Sequence, residues 1–221
     1  MRVAVCFSGL PRLDAWSAIT SWQRFISANQ ADVFVHTWCD DTNQYQSLMT
    51  RMNGQLAPRA VIMEPSVDLP VAQYTERIWP TASPYRMLSG FTSIHRCFDL
   101  AQSWANHTST TWDYVVRARF DVEIEPFELQ PAFGVVVHDD PDKLILKFTY
   151  RGQPMWGIND LVAYGAPDAM AAYARTDELM PSLYADEGVD VCPEIFLTAS
   201  LTRQNTPITF RQMPNRIVRA Q

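Results

Sequence analysis

Arg2-Val3-Ala4-Val5-Cys6-Phe7-Ser8-Gly9-Leu10-Pro11-Arg12 begins with an apolar run and ends in Ser-Gly and Pro. A continuous apolar run cut off by turn residues is how a strand buried on both faces of a parallel sheet reads. From Asp14 onward Trp16, Ile19, Trp22 and Ile26 recur at helical spacing, and Ala31-Asp-Val-Phe-Val-His-Thr37 returns to a β-rich run. Strand, helix and strand make one βαβ unit, the repeating element of doubly wound sheets. The chain therefore reads as α/β, with a central, mostly parallel sheet flanked by helices.

Outward from that unit, a helix around 44–52 leads to a third apolar run, Ala60-Val-Ile-Met63, stopped by Glu64-Pro65. Residues 66–84 are rich in Pro, Ser and Thr without a period, which predicts a long loop serving as a lid or facing an acceptor. Met87, Phe91, Ile94, Phe98 and Ala101 predict a helix from about Tyr85 to Trp104. Next comes the strand Tyr114-Val-Val-Arg-Ala-Arg119, whose two arginines alternate onto one face, then Phe120-Asp-Val-Glu123. Gly134–His138 and Leu144–Phe148 are expected to pair around Asp139–Asp142, and Asp160–Tyr164 to form another strand. Helices start at Pro167, running to about Leu183, and at Pro193, running to about Leu201. Ile208–Gln212 is a last short strand.

With 221 residues, 47% of them apolar and 19% charged, the chain has ordinary globular composition and length for one domain, 1–221. Its halves read as a nucleotide-binding part, 1–123, and an acceptor-side part, 124–221. A net charge of −6 argues against a nucleic-acid backbone as main partner, since such binding rests on clustered Lys and Arg. The cysteines at 6, 39, 97 and 192 lack the short spacing of a zinc site or redox dithiol, and read as reduced thiols. The first apolar run is too short for a secretory core or a membrane span. The expectation is a cytoplasmic protein without a transmembrane segment, with peripheral membrane association left open.

The chemistry concentrates in 114–123. Asp121 and Glu123 stand one residue apart just past the end of a strand, the edge that faces the ligand crevice in open α/β sheets, and hard divalent cations such as Mn²⁺ or Mg²⁺ take oxygen ligands. The alternative use of Asp121 is an ion pair with Arg117 or Arg119. Two guanidiniums in an apolar strand are costly unless they meet carboxylates or phosphates. The turn Ser8-Gly9-Leu10-Pro11-Arg12 offers close backbone approach at Gly9 and a cation at Arg12, or a solvated surface charge. It lacks P-loop and GxGxxG spacing, so kinase and dinucleotide oxidoreductase chemistry lose their main support. Asp160 and Glu194 are candidate acids in the crevice, or simply a turn cap and a helix-dipole partner. None of the histidines is spaced as a metal ligand with another, and chain order alone argues no Ser-His-Asp arrangement.

Several segments together resemble a family of bacterial and viral GT-A-type glycosyltransferases of surface-polysaccharide and glycan synthesis. These are Val3–Arg12, Ala31–Trp38, the helix containing Ser93-Ile-His-Arg96, Trp112–Asp121, Asn159-Asp160 before Ala163-Tyr-Gly165, and Pro193-Glu194. The resemblance implies a GT-A-like, Rossmann-related fold and a donor site at Ser8, Gly9, Arg12, Ser93, Arg117 and Arg119. It places the Arg-x-Arg-x-Asp segment where GT-A enzymes keep their DxD motif, with Asp121 and Glu123 as metal ligands, and turns Asp160 or Glu194 toward the acceptor as catalytic base. Asp121-Val-Glu123 departs from a strict DxD, so the arginines are candidates for part of the cation's role. The implied activity is transfer of a sugar from a nucleoside-diphosphate donor to a glycan or lipid-linked acceptor. A sugar nucleotidyltransferase and a non-catalytic nucleotide-binding module are the alternatives. Donor identity, stereochemistry and oligomeric state are not written in the sequence.

Overall fold

The computed structural model describes residues 1–139 and 147–218. Strand β1 (Val3–Ser8), helix α1 (Trp16–Asn29) and β2 (Asp32–Trp38) form the βαβ unit read from the opening segment, and α2 (Thr42–Leu56) with β3 (Ala60–Glu64) extends it. There follow α3 (Pro84–Thr108), β4 (Tyr114–Ala118), β5 (Val122–Ile124), β6 (Val135–His138), β7 (Lys147–Tyr150), β8 (Gln153–Trp156) and β9 (Ala163–Gly165). The chain closes with α4 (Pro167–Ala174), α5 (Thr176–Ala185), α6 (Pro193–Arg203), β10 (Ile208–Arg211) and β11 (Asn215–Ile217).

Seven strands form the central sheet in the order β10-β6-β9-β4-β1-β2-β3. Strand β9 runs antiparallel to both its neighbours, β4 and β6, and the other pairs are parallel. Every strand but β9 therefore ends at one edge, and β9 begins there. That reversal brings the segment before it, with Asp160, to the edge where β1 and β4 deliver Ser8 and Arg117.

Period-two alternation divides the core between two faces. Cys6, Phe34 and Val115 point toward α3 and the α4–α6 layer, where they meet Phe91, Phe98, Tyr173 and Phe196. Val5, Phe7, Val35 and Val116 point to the α1–α2 side and meet Trp22, Met52 and Phe120. The result is the mostly parallel, helix-flanked α/β sheet expected of a Rossmann-related fold.

Three expectations need correction. The buried face of α1 is Ala18, Ile19, Trp22 and Phe25, while Trp16 is 64% exposed. Trp16 is the first helical residue and turns to solvent, and Phe25 takes the core position by standing edge-on to Trp22 and stacking on Phe127. The predicted 167–183 helix is two helices that meet at Arg175, where the Thr176 hydroxyl donates to the Tyr173 carbonyl at 2.9 Å.

The hairpin expected between 134–138 and 144–148 is replaced within the described residues. Strand β6 has β9 on one side and β10 on the other, and Lys147 and Phe148 pair with Trp156 and Met155 of β8. The predicted turn at 140–142 and residues 144–146 lie outside the described residues. The long loop after β3 is anchored: Tyr74 is buried on Tyr184 and Phe196, Ile78 bridges to Val191, and the Glu76 amide donates to Tyr184 Oη at 3.0 Å. Strand β11, which pairs with β5, carried no recognisable pattern.

Candidate functional site at the carboxyl edge of the sheet

The site begins where β1 ends. Gly9 has φ +105°, a backbone conformation open to glycine and strained for other residues, and it turns the chain sharply away from the strand. Its amide donates to Ser93 Oγ at 2.8 Å and to the His36 carbonyl at 3.3 Å, while Thr37 Oγ1 donates to the Gly9 carbonyl at 2.7 Å. So fixed, the turn carries Arg12 across to the residues after β4, where Arg12 Nη1 contacts Asp121 Oδ2. From its own segment Arg119 grips the same carboxylate in a fork, Nε to Oδ1 at 2.9 Å and Nη2 to Oδ2 at 3.0 Å.

The side chain of Asp121 is only 3% exposed, against 46% for Arg12 and 26% for Arg119. Burial alone would raise the pKa of this carboxyl. The Arg119 and Arg12 guanidiniums outweigh that desolvation and hold it below its ordinary value. The Asp121 carbonyl also accepts from the Val218 amide at 2.7 Å, so the acid is fixed from both sides. Each guanidinium keeps N–H donors that Asp121 does not use, and these can take a second anion.

The other predicted residues divide. Arg117 does not join the cluster: its guanidinium is buried under the edge and donates through Nη1 to the Leu161 carbonyl at 3.0 Å. Together with Ser8 it borders an internal cavity of about 10 Å³ also lined by Met170 and Tyr173. That is room for one water, far below the roughly 300–1,000 Å³ of a ligand site. Ser8 and Arg117 thus shape the floor of the site rather than its surface. Ser93 is fully buried behind Gly9.

Asp160 is half-buried and close enough to Arg117 and Arg119 to act on both charges. The neighbouring Asn159 stiffens that segment by accepting from the Leu161 amide at 2.8 Å. Glu194 lies in the first turn of α6, whose backbone is tied to the same segment through Ile158 N to Glu194 O at 3.3 Å. Its carboxylate accepts from Cys192 Sγ at 3.0 Å, and burial with this acid pushes the thiol up to about 12.

The pairing of Asp121 with Glu123 is not realised. Glu123 sits on β5 and forms an ion pair with Arg216 of β11 at 2.9 Å, while both oxygens of Asp121 meet guanidinium nitrogens. Among the described residues no group of three or more His, Cys, Asp or Glu could hold a metal ion. A divalent cation needs several oxygens around one point, and this donor set supplies a single carboxylate already neutralised twice. The residues present do not fit a resident Mn²⁺ or Mg²⁺ held by Asp121 and Glu123 together.

Sequence reading missed a buried polar chain beside the turn. His36 is wholly buried on β2, with Nδ1 2.8 Å from Ser93 Oγ and Nε2 2.7 Å from Glu64 Oε1. Arg96 pairs with the same Glu64 oxygen and lies over the Trp38 ring, 5.1 Å from its centroid. The available signal was a histidine in the middle of an otherwise apolar strand, since a buried polar group demands partners.

Among the described residues no helix is long and apolar enough to cross a membrane. No family profile matches the sequence, and no curated protein does either. Among solved structures, one described as a glycosyltransferase involved in the glycosylation of the major capsid of PBCV-1 is similar in fold. It shares 12% identity and a TM-score of 0.41 over 96% of this chain and 82% of that one.

Proposed function

We propose that this chain is a glycosyltransferase that moves a sugar from a nucleoside-diphosphate donor to a glycan or lipid-linked acceptor. The observation that carries the reading is the Arg12–Asp121–Arg119 cluster at the carboxyl edge of the sheet. It combines a buried acid with two partly exposed guanidiniums, on the edge where open α/β sheets bind nucleotides. The segments that resemble GT-A glycosyltransferases include both arms of this cluster, Val3–Arg12 and Trp112–Asp121.

In this reading an acceptor hydroxyl attacks the anomeric carbon, the bond from that carbon to the donor phosphate oxygen breaks, and the nucleoside diphosphate leaves with the negative charge. Arg12 and Arg119 meet that charge as fixed cations, and Asp121 holds both guanidiniums in place. Asp160, or Glu194 at the start of α6, takes the proton of the acceptor hydroxyl if configuration inverts. A divalent cation would supply the same countercharge on the donor diphosphate, and the arginines make it dispensable.

The test is incubation with a panel of nucleoside-diphosphate sugars and glycan acceptors, with Mn²⁺ or with EDTA. Free nucleoside diphosphate formed in EDTA is the expected product. Pyrophosphate released from a nucleoside triphosphate and a sugar phosphate would instead assign nucleotidyl transfer. Nucleotide binding without any turnover would assign a non-catalytic module.

A further inference from the structure

Ser93, His36 and Glu64 have the outward form of a nucleophile, base and acid, but Ser93 and His36 are both fully buried and no substrate could reach the hydroxyl. Their hydrogen bonds have a different direction. His36 is held neutral: burial lowers its pKa from 6.5, and the hydrogen bond and charge of Glu64 do not restore it. Glu64 stays ionised, because contacts with His36 and Arg96 outweigh its desolvation.

An ionised Glu64 can only accept, so Nε2 of His36 must carry the ring proton, and Nδ1 must be the acceptor. Ser93 Oγ then donates to Nδ1 and is left with a lone pair for the Gly9 amide. One self-consistent chain results, Gly9 N–H to Ser93, Ser93 O–H to His36, and His36 Nε2–H to Glu64.

We infer that this chain makes Ser93 and His36 positioning residues for the Gly9 turn, so that the protonation state of His36 sets how tightly the Arg12 side of the site holds an anionic ligand. The inference rests on the donor-site reading given above. Protonating Nδ1 reverses one link. Nδ1–H then takes the remaining lone pair of Ser93 Oγ, and the hydroxyl proton must turn to the His36 carbonyl, 3.3 Å away, which the Gly9 amide already uses. The turn that delivers Arg12 to Asp121 is loosened at its root.

The groups that act on His36 are few. Glu64 faces it from β3. Arg96 comes from α3, and the buried Cys97 thiol of the same helix, which burial keeps protonated, meets the backbone of His36. On β1 its register partner is the uncharged Ser8. Trp38, on its own strand, packs edge-on to the ring at 4.8 Å.

Two measurements on the intact chain separate the inference from the reading beneath it. In ¹⁵N spectra His36 should show a protonated Nε2 and an unprotonated Nδ1, and the Gly9 amide resonance should shift as His36 titrates below pH 6.5. Calorimetry with uridine and guanosine diphosphates should show affinity falling over that same range. In Ser93→Ala the affinity should be about 5–10-fold weaker at neutral pH, the scale of one lost hydrogen bond. In His36→Asn, whose amide oxygen can still accept from Ser93, the acid-side fall should shrink to the part set by protonation of the diphosphate itself.

An Nδ1–H tautomer, a Gly9 amide that ignores His36, or an unchanged acid limb in His36→Asn overturns the inference. If neither diphosphate binds while the Gly9 amide still follows His36, the positioning chain stands. The donor-site reading, with the link from the chain to ligand affinity, is then the part that fails.

Discussion

Asp121 exists in two chemical relations at once, and its substitution separates them. Asp121→Asn keeps the shape and removes the charge that organises Arg12 and Arg119. Transfer is expected to fall by about 100-fold or more, the scale of losing a preorganised electrostatic element, while circular dichroism stays that of the parent. Nucleoside-diphosphate release measures the first and a far-ultraviolet spectrum the second. Arg119→Lys keeps the charge but not the fork, and should lose part of that activity. At this scale the sequence was legible where chemistry is local. Asp121 and Arg119 are two residues apart and meet each other, and Arg12 lies on a punctuated turn. For Arg117, alternation along β4 fixes which face the side chain takes, but not whether that face is open: α4 covers it. The ion pair of Glu123 was not legible, because its partner, Arg216, comes from a strand more than 90 positions away in a segment with no pattern.

Among the elements, the apolar runs and helical spacings carried the reading. Strands β1 to β4 and helices α1 to α3 lie where periodicity put them, since each buries a continuous face that the sequence must encode. Strand pairing beyond β4 was not legible, because it depends on which edges are free. Gly134 shows how tightly that region closes: its φ is +85°, and a β-carbon there would overlap the Pro207 carbonyl that accepts from the Val135 amide. Gly134→Ala should therefore cost about 2 kcal/mol or more, from both strain and the displaced entry into β10. The anchored loop after β3 makes a second element-scale case. Removing the buried Tyr74 ring with Tyr74→Ala should cost about 3–5 kcal/mol and speed proteolysis within 66–83. Urea unfolding measures both stabilities, and a loop cleaved no faster than in the parent would mean that Tyr74 does not anchor it.

Over the whole molecule, two histidines oppose each other in pH dependence. His95 joins α3 to α5 through Asp177 at 3.0 Å, and this hydrogen bond outweighs desolvation to raise its pKa from 6.5. A raised folded-state value means that its stabilisation is full below pH 6.5 and is lost as pH rises through the folded value. His36 has a lowered value, so its contribution is present above pH 6.5 and is lost as pH falls through the folded value. Urea midpoints from pH 5 to 9 should fall away on both sides, and His95→Asn should flatten the alkaline side alone. The reversed strand β9 acts on this same scale, since it alone brings Asp160 to the edge shared by Arg12 and Arg119. The carboxylate between those arginines has one more consequence. Asp121 is a built-in competitor: an anion must outbid it for the N–H donors that it holds, and otherwise has only the donors it leaves over. Under the proposed function, inorganic phosphate or sulfate, with little else to hold it, would be discriminated against, whereas a nucleotide would add contacts through its base and sugar. Under that reading the acid would filter small inorganic anions before chemistry begins.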